Sequence, residues 1–230
     1  YQFNVFKEIT ESGLEGKNFK TDEEKLAFIE SKKDEYKHSM FPVETPSGLK
    51  VMSMAFLLDG IDRPIIWRGP QKTGAIRQLI SDAHWGSLDY LIIDNPPGTG
   101  DEPLTVLQLI PNLDAAVMVT TPSSVSEEDV LKCVSMTRMM HVENIGLVEN
   151  MAYFECPDCG KKVNLFGEQK GAKFAEAMDL DFLGELPFRS AVSEAADIDE
   201  TPIVKSDPEC EAAQEFMKIA QEIKEKYMDE

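Results

Sequence analysis

Two stretches of this chain carry residue types at spacings that could do chemistry. The first is Cys156-Pro157-Asp158-Cys159-Gly160. Two thiolates three positions apart can grip one soft metal centre from a tight turn. Gly160 relieves such a turn, and Lys161 and Lys162 add positive charge beside the thiolates. One pair supplies two ligands, whereas a tetrahedral thiolate site or a cubane cluster takes four. Cys133 falls mid-helix and Cys210 near the tail, neither at metal-ligand spacing. A second copy of the chain about a two-fold axis is the simplest completion. Thiolate chemistry alone favours zinc over iron–sulfur. A redox Cys-x-x-Cys is disfavoured, because no thioredoxin-like helix start follows.

The second stretch runs from Leu88 to Pro103. Leu91-Ile92-Ile93 predicts a strand buried on both faces, the kind found in parallel sheets covered by helices. It stops at Asp94, where α/β proteins bind ligands. A carboxylate there can orient a water on Mg²⁺, and Gly98 lets backbone N–H groups approach a phosphate. The bland alternative is a helix-capping acid and a tight turn; the full run Pro96-Pro97-Gly98-Thr99-Gly100-Asp101-Glu102-Pro103 favours the phosphate site.

Smaller signals surround these two. Asn150 follows the apolar run Ile145–Val148 and Glu149. Its amide can donate to and accept from an adenine edge, or it can close an Asx-turn. Pro187 reads as a strand-ending proline. Arg68 could contact phosphate or a partner, or pair with an acid. His38, His84 and His141 are isolated, each structural or exposed. Gly69-Pro70-Gln71-Lys72-Thr73-Gly74 is rejected as a phosphate loop, since Gln71 replaces a required glycine and Pro70 removes a cradle N–H.

Elements must position these groups. Leu49–Leu58 predicts a strand and Pro64–Trp67 a short extended piece. Lys72–His84 predicts a helix with Ala75, Ile76, Leu79, Ile80 and Ala83 on one stripe. Leu104–Ile110 is a short helix and Ala115–Val119 a buried strand. Ser124 with Glu127 predicts a capping box opening a helix to Met140, with Val130, Leu131, Val134 and Met140 inward. Strands follow at Ile145–Val148 and Phe182–Leu186. The tail Glu209–Tyr227 is an amphipathic helix using Ala213, Phe216, Met217, Ala220 and Ile223. Strands alternating with helices imply a mainly parallel sheet.

Composition sets the bounds. The chain has 230 residues, 42% hydrophobic, enough for one sizeable α/β domain. A net charge of −19 argues against binding nucleic acid or anionic membrane. There is no apolar run long enough to span a bilayer, and four cysteines are too few for a disulfide framework. The expected setting is a reducing cytosol.

Asp94-Asn95-Pro96-Pro97-Gly98-Thr99-Gly100-Asp101 resembles the Walker B and switch II segment of the Mrp/ApbC family, MinD-like P-loop ATPases that carry iron–sulfur clusters. Pro64-Ile65-Ile66-Trp67-Arg68-Gly69-Pro70, Val148-Glu149-Asn150-Met151 and Cys156-Pro157-Asp158-Cys159-Gly160 resemble the same family, in order and at similar spacing. The resemblance runs from about Pro42 to the C-terminus and leaves the first forty residues outside. It implies an α/β fold, a mainly parallel sheet with helices on both faces, with a metal-binding insert at 151–165; with no internal repeat or low-complexity linker, one domain over residues 1–230 is the simplest reading. It implies that Cys156 and Cys159 hold a 4Fe-4S cluster shared across a homodimer and passed to apo iron–sulfur proteins. It implies a water-bridged Mg²⁺ at Asp94, and ATP contacts at Gly98, Asn150 and, more weakly, Pro187. The family's Walker A and switch I acid are absent, so ATP hydrolysis is expected of an intact family member and not of this chain as it stands. A MinD- or ParA-like regulatory ATPase with a structural zinc pair, and a non-catalytic scaffold, are the rival readings.

Overall fold

The structure is a computed structural model that describes residues 40–57, 67–156, 159–190, 192 and 202–228. The chain divides into two compact units. One runs up to Pro96 and takes in Asp101–Leu109; the other comprises Pro97–Gly100 and everything from Ile110.

In the first unit, β1 (Val43–Glu44) and β2 (Lys50–Val51) form a short antiparallel hairpin. The predicted strand over Leu49–Leu58 is therefore confined to Lys50–Val51. Ser53 ends it: its hydroxyl accepts from the Ala55 amide at 3.2 Å and opens a 3-10 turn at Met54–Leu57, the local competition expected of serine. The predicted piece Pro64–Trp67 lies, apart from Trp67, outside the described residues.

Helix α1 (Gly69–Arg77) begins three residues before the predicted Lys72 and carries Pro70 in its first turn, where a missing N–H costs nothing. A π-helical turn, Gln78–Asp82, completes it. The helix α2 (Asp101–Leu109) packs on α1 through Lys72–Glu102 at 2.5 Å and Thr73 Oγ1–Thr105 Oγ1 at 3.2 Å.

The stretch Leu91–Ile93 forms no strand, which corrects the central expectation. Ile92 is 90% exposed and Tyr90 and Leu91 are exposed as well. A buried parallel strand needs ladders on both edges and cover on both faces, and no described strand pairs with this one.

The second unit holds the parallel sheet β3 (Ala116–Thr120), β4 (Ile145–Glu149) and β7 (Asp181–Glu185), in the order β3-β4-β7. Helix α3 (Ser124–Met139) links β3 to β4, and α4 (Gly171–Met178) precedes β7. Val130 and Val134 of α3 and Ala175 of α4 pack with Ile145 and Leu147 on one face. A short helix α5 (Ile203–Ser206) leads to α6 (Glu211–Tyr227), whose Ile219, Ile223 and Tyr227 cover Val148, Leu183 and Leu186 on the other. Helices thus lie on both faces of a parallel sheet, as expected. The register slips between Leu147 and Val148, so that Val148 pairs with Gly184. Gly184 has φ +147°, and a Cβ there would stand 2.8 Å from Ile219 Cγ1. Only glycine lets α6 lie this close to the bulge.

Two helix details differ from expectation. Ser123, not Ser124, is the N-cap of α3, and its side chain makes no capping bond. The hydroxyl of Ser126 instead bonds the Thr121 amide and the Thr120 hydroxyl. On α6, Phe216, Met217 and Ala220 face solvent, while Ala212, Ala213 and Ile219 are buried. Leu131 of α3 is likewise exposed.

Candidate cysteine hairpin and nucleotide-site residues

A second antiparallel hairpin grows from the carboxyl end of β4. Its strands β5 (Phe154–Glu155) and β6 (Lys162–Val163) pair Phe154 with Val163 and Glu155 with Lys162. Cys156 and Cys159 sit in the turn between them. The Cys156 amide donates to the Lys161 carbonyl at 3.0 Å, and the Gly160 amide to the Cys156 carbonyl at 2.9 Å. Gly160 takes φ +67°. Cys159 is exposed, Cys156 half-buried, and neither is in a disulfide. The described ends of the turn thus carry one exposed and one half-buried thiol, soft donors of the kind a shared metal centre takes. Among the described residues no three His, Cys, Asp or Glu side chains gather for a metal ion. Cys133 and Cys210 lie elsewhere. Burial pushes the Cys133 thiol up, against a hydrogen bond from the Gly98 backbone, and a thiol held protonated is a poor ligand. The Cys210 sulfur accepts from the Ala213 amide at 3.4 Å as the N-cap of α6.

The hairpin is held by charged groups that sequence reading missed. Arg189 donates to Glu155 and, at 3.0 Å, to Glu211, the first residue of α6. Lys162 and the Tyr153 hydroxyl donate to the other Glu211 oxygen at 3.0 and 2.9 Å. Lys162 also stands 3.9 Å above the Tyr153 ring centre. The positive charge expected of Lys162 near the thiolates is thus largely spent on Glu211, whose hydrogen bond and that of Tyr153 raise the lysine's pKa. For Glu211, burial pushes the pKa up, but hydrogen bonds from Lys162, Arg189 and Tyr153 hold it down at about 2. The facing pair Glu155–Lys162 was a local signal for this network. Arg189 and Glu211, remote in sequence, had none.

The nucleotide candidates fall into both units. Asp94 belongs to the first unit and is exposed. Gly98 belongs to the second, with φ +92° and open space where a Cβ would be. That fits a backbone free to approach a phosphate. Asn150 follows β4; its amide donates to Thr120 O at 2.8 Å, and its Oδ1 accepts from the Met151 amide at 2.9 Å. That bond reaches the next residue and not the second one on, so it is not the Asx-turn offered as the alternative, and no hydrogen bond of Nδ2 is found among the described residues. Pro187 is buried. The Leu186 amide donates to Glu149 O at 2.8 Å, and the Ala152 amide to Leu186 O at 3.0 Å. The backbone thus brings Asn150 and Pro187 to one end of the sheet, at the root of the cysteine hairpin. Lys72, in the rejected phosphate-loop stretch, lies inside α1 and is paired with Glu102. Arg68 is exposed at the start of α1.

Comparison with known proteins gives a consistent result. The family model described as ParA, NUBPL iron-transfer P-loop NTPase, matches residues 21–224. The match enters the first forty residues, where no motif was legible. The iron-sulfur cluster carrier protein of Methanocaldococcus jannaschii is 48% identical over 81% of this chain and 63% of its own length. The chain thus spans less than two thirds of that relative. A nucleotide-binding protein of Archaeoglobus fulgidus, solved in complex with ADP, is 40% identical and superposes with a TM-score of 0.58 over 70% of this chain and 61% of that one. The MinD cell division protein of Aquifex aeolicus, 15% identical, shares the fold with a TM-score of 0.50 over 78% of this chain and 77% of its own. With the cysteine hairpin, the two-faced parallel sheet and a family match over nearly its whole length, this chain belongs to the ParA family of NUBPL iron-transfer P-loop NTPases.

Proposed function

We propose that this chain belongs to an iron–sulfur cluster carrier and holds its cargo on Cys156 and Cys159. The observation that carries this reading is the hairpin itself: two non-disulfide thiols in one exposed turn, in a chain whose relatives are named as cluster carriers. Two thiolates per chain support a 4Fe-4S cluster bridging two copies about a two-fold axis. The cluster is the cargo, received on these thiolates and surrendered to the thiolates of an apo-protein. In the whole protein, ATP binding and hydrolysis would gate the exchange. There Asp94 would orient water on Mg²⁺, Gly98 would admit a phosphate, Nδ2 of Asn150 would donate to adenine, and Pro187 would close over the base.

Metal analysis after anaerobic reconstitution tests the reading. Iron and sulfide with broad visible absorption, at one cluster per two chains, are expected. Zinc alone would support the rival, a regulatory ATPase with a structural metal. Sedimentation of loaded and chelated protein is expected to show a dimer that weakens when the cargo leaves. A monomer in both states would contradict the shared site.

A further inference from the structure

We propose that Arg189 and Glu211 are positioning residues that fix the cysteine hairpin on the body of the second unit. The proposal rests on the reading of Cys156 and Cys159 as cargo ligands. The strands β5 and β6 have two residues each, and a ladder that short does not hold an orientation in water. Apolar packing at the tip is slight: Val163 of β6, and Leu165 and Phe166 just beyond it, are exposed, with one edge-on ring contact between Phe166 and Phe188. What ties the hairpin down is polar. Glu155 immediately precedes Cys156 and receives Arg189. Lys162, its ladder partner, reaches Glu211. Arg189 also reaches Glu211, so each strand of the hairpin is tied to the same carboxylate, one directly and one through the guanidinium.

Both anchors are themselves fixed. Glu211 opens α6, which lies on the sheet through Ile219, Ile223 and Tyr227. An acid in the first helical turn also faces the positive end of the helix dipole. Arg189 follows Phe188, whose amide donates to Tyr153 O at 2.7 Å, and stands two residues beyond Pro187. Both carboxylates take their hydrogen bonds from one guanidinium nitrogen, Nη2, whose two N–H groups point to different acceptors, while Nε is buried with no partner among the described residues. A cluster shared by two chains requires both thiolate pairs to be held in place, and this network is the device that holds them.

Amide hydrogen exchange on the metal-free chain tests the clamp independently of the cargo. In Arg189→Gln and Glu211→Gln, exchange at the Cys156 and Gly160 amides is expected to accelerate about tenfold or more, while Leu147 and Val148 in β4 keep their wild-type rates. Arg189→Lys is expected to recover part of the protection. Lys132→Ala, which removes the exposed Lys132–Asp129 pair, is expected to change nothing at the hairpin. Unchanged hairpin exchange, or equal acceleration in β4, would overturn the proposal. In reconstituted protein the same variants are expected to reach wild-type iron content but to lose cluster to a chelator about tenfold faster. Loss at the wild-type rate would also overturn it. If wild-type protein loads no cluster, the cargo reading fails while the exchange result still decides the clamp.

Discussion

Glu149 is a carboxylate at 1% exposure in a strand whose other residues are mostly apolar. Burying such a charge is costly unless it is matched. One oxygen is: Oε1 accepts from the Lys170 and Gly171 amides at 3.1 and 3.0 Å, where α4 starts and donors lack intrahelical partners. Its other oxygen has no partner among the described residues. Glu149→Ala is expected to destabilise the chain by about 3 kcal/mol in urea titration, from the loss of two charge-assisted hydrogen bonds. Glu149→Gln keeps an acceptor and is expected to cost less than half as much. Equal stability of the alanine variant would show that α4 does not need this anchor. At this scale the sequence was partly legible. Asn150 stands where the strand pattern placed it, and the cysteine pair sits in a turn as its spacing required. Glu149 was passed over because its partners, the first amides of α4, lie some twenty residues away and carry no side-chain signature.

The same limit governs the elements. Apolar runs located β3, β4 and β7 to within a residue or two, because each pairs in the sheet, although β3, expected to be buried, leaves Val117 and Val119 exposed at one end of the strand order. They misplaced the strand at Leu91–Ile93, because an apolar run is a strand only where other strands accept its backbone. On α6 the expected stripe was half right: Ala213 and Ile223 are buried or packed on the core, whereas Phe216, Met217 and Ala220 face solvent and Ile219 was left out. The link between α6 and the hairpin predicts a pH dependence. Glu211 is faced by Lys162, Tyr153, Arg189 and Glu155, and its pKa falls from 4.5 to about 2 in the folded chain. A depressed carboxylate stabilises the fold fully above its unfolded value, and that stabilisation is lost as pH falls through the folded one. The metal-free hairpin is therefore expected to loosen between about pH 4.5 and pH 2, read as faster exchange at Gly160 relative to Leu147. Glu211→Gln is expected to remove that dependence. A wild-type hairpin whose relative exchange is flat across this window would contradict the prediction.

At the scale of the whole molecule, the proposed reading gives the chain a part of a nucleotide site beside the cysteine hairpin. Its Lys-Thr pair lies in a helix, with Lys72 committed to Glu102, and no Gly-x-x-x-x-Gly-Lys stretch exists in its 230 residues. A phosphate loop contributes several charge-assisted hydrogen bonds, each about 1.5–3 kcal/mol. Without them ATP–Mg²⁺ is expected to give no saturable heat in calorimetry up to millimolar concentration. Tight binding would locate a phosphate site in the residues outside those described.

The proposed cargo function, by contrast, is expected of two copies of this chain without the phosphate loop, since each carries both of the proposed ligands, Cys156 and Cys159. Iron and sulfide content after anaerobic reconstitution of single-cysteine variants tests it most directly. Cys156→Ala and Cys159→Ala are each expected to abolish loading, while Cys133→Ala and Cys210→Ala retain about one cluster per two chains. Full cluster retention in Cys159→Ala would contradict the account.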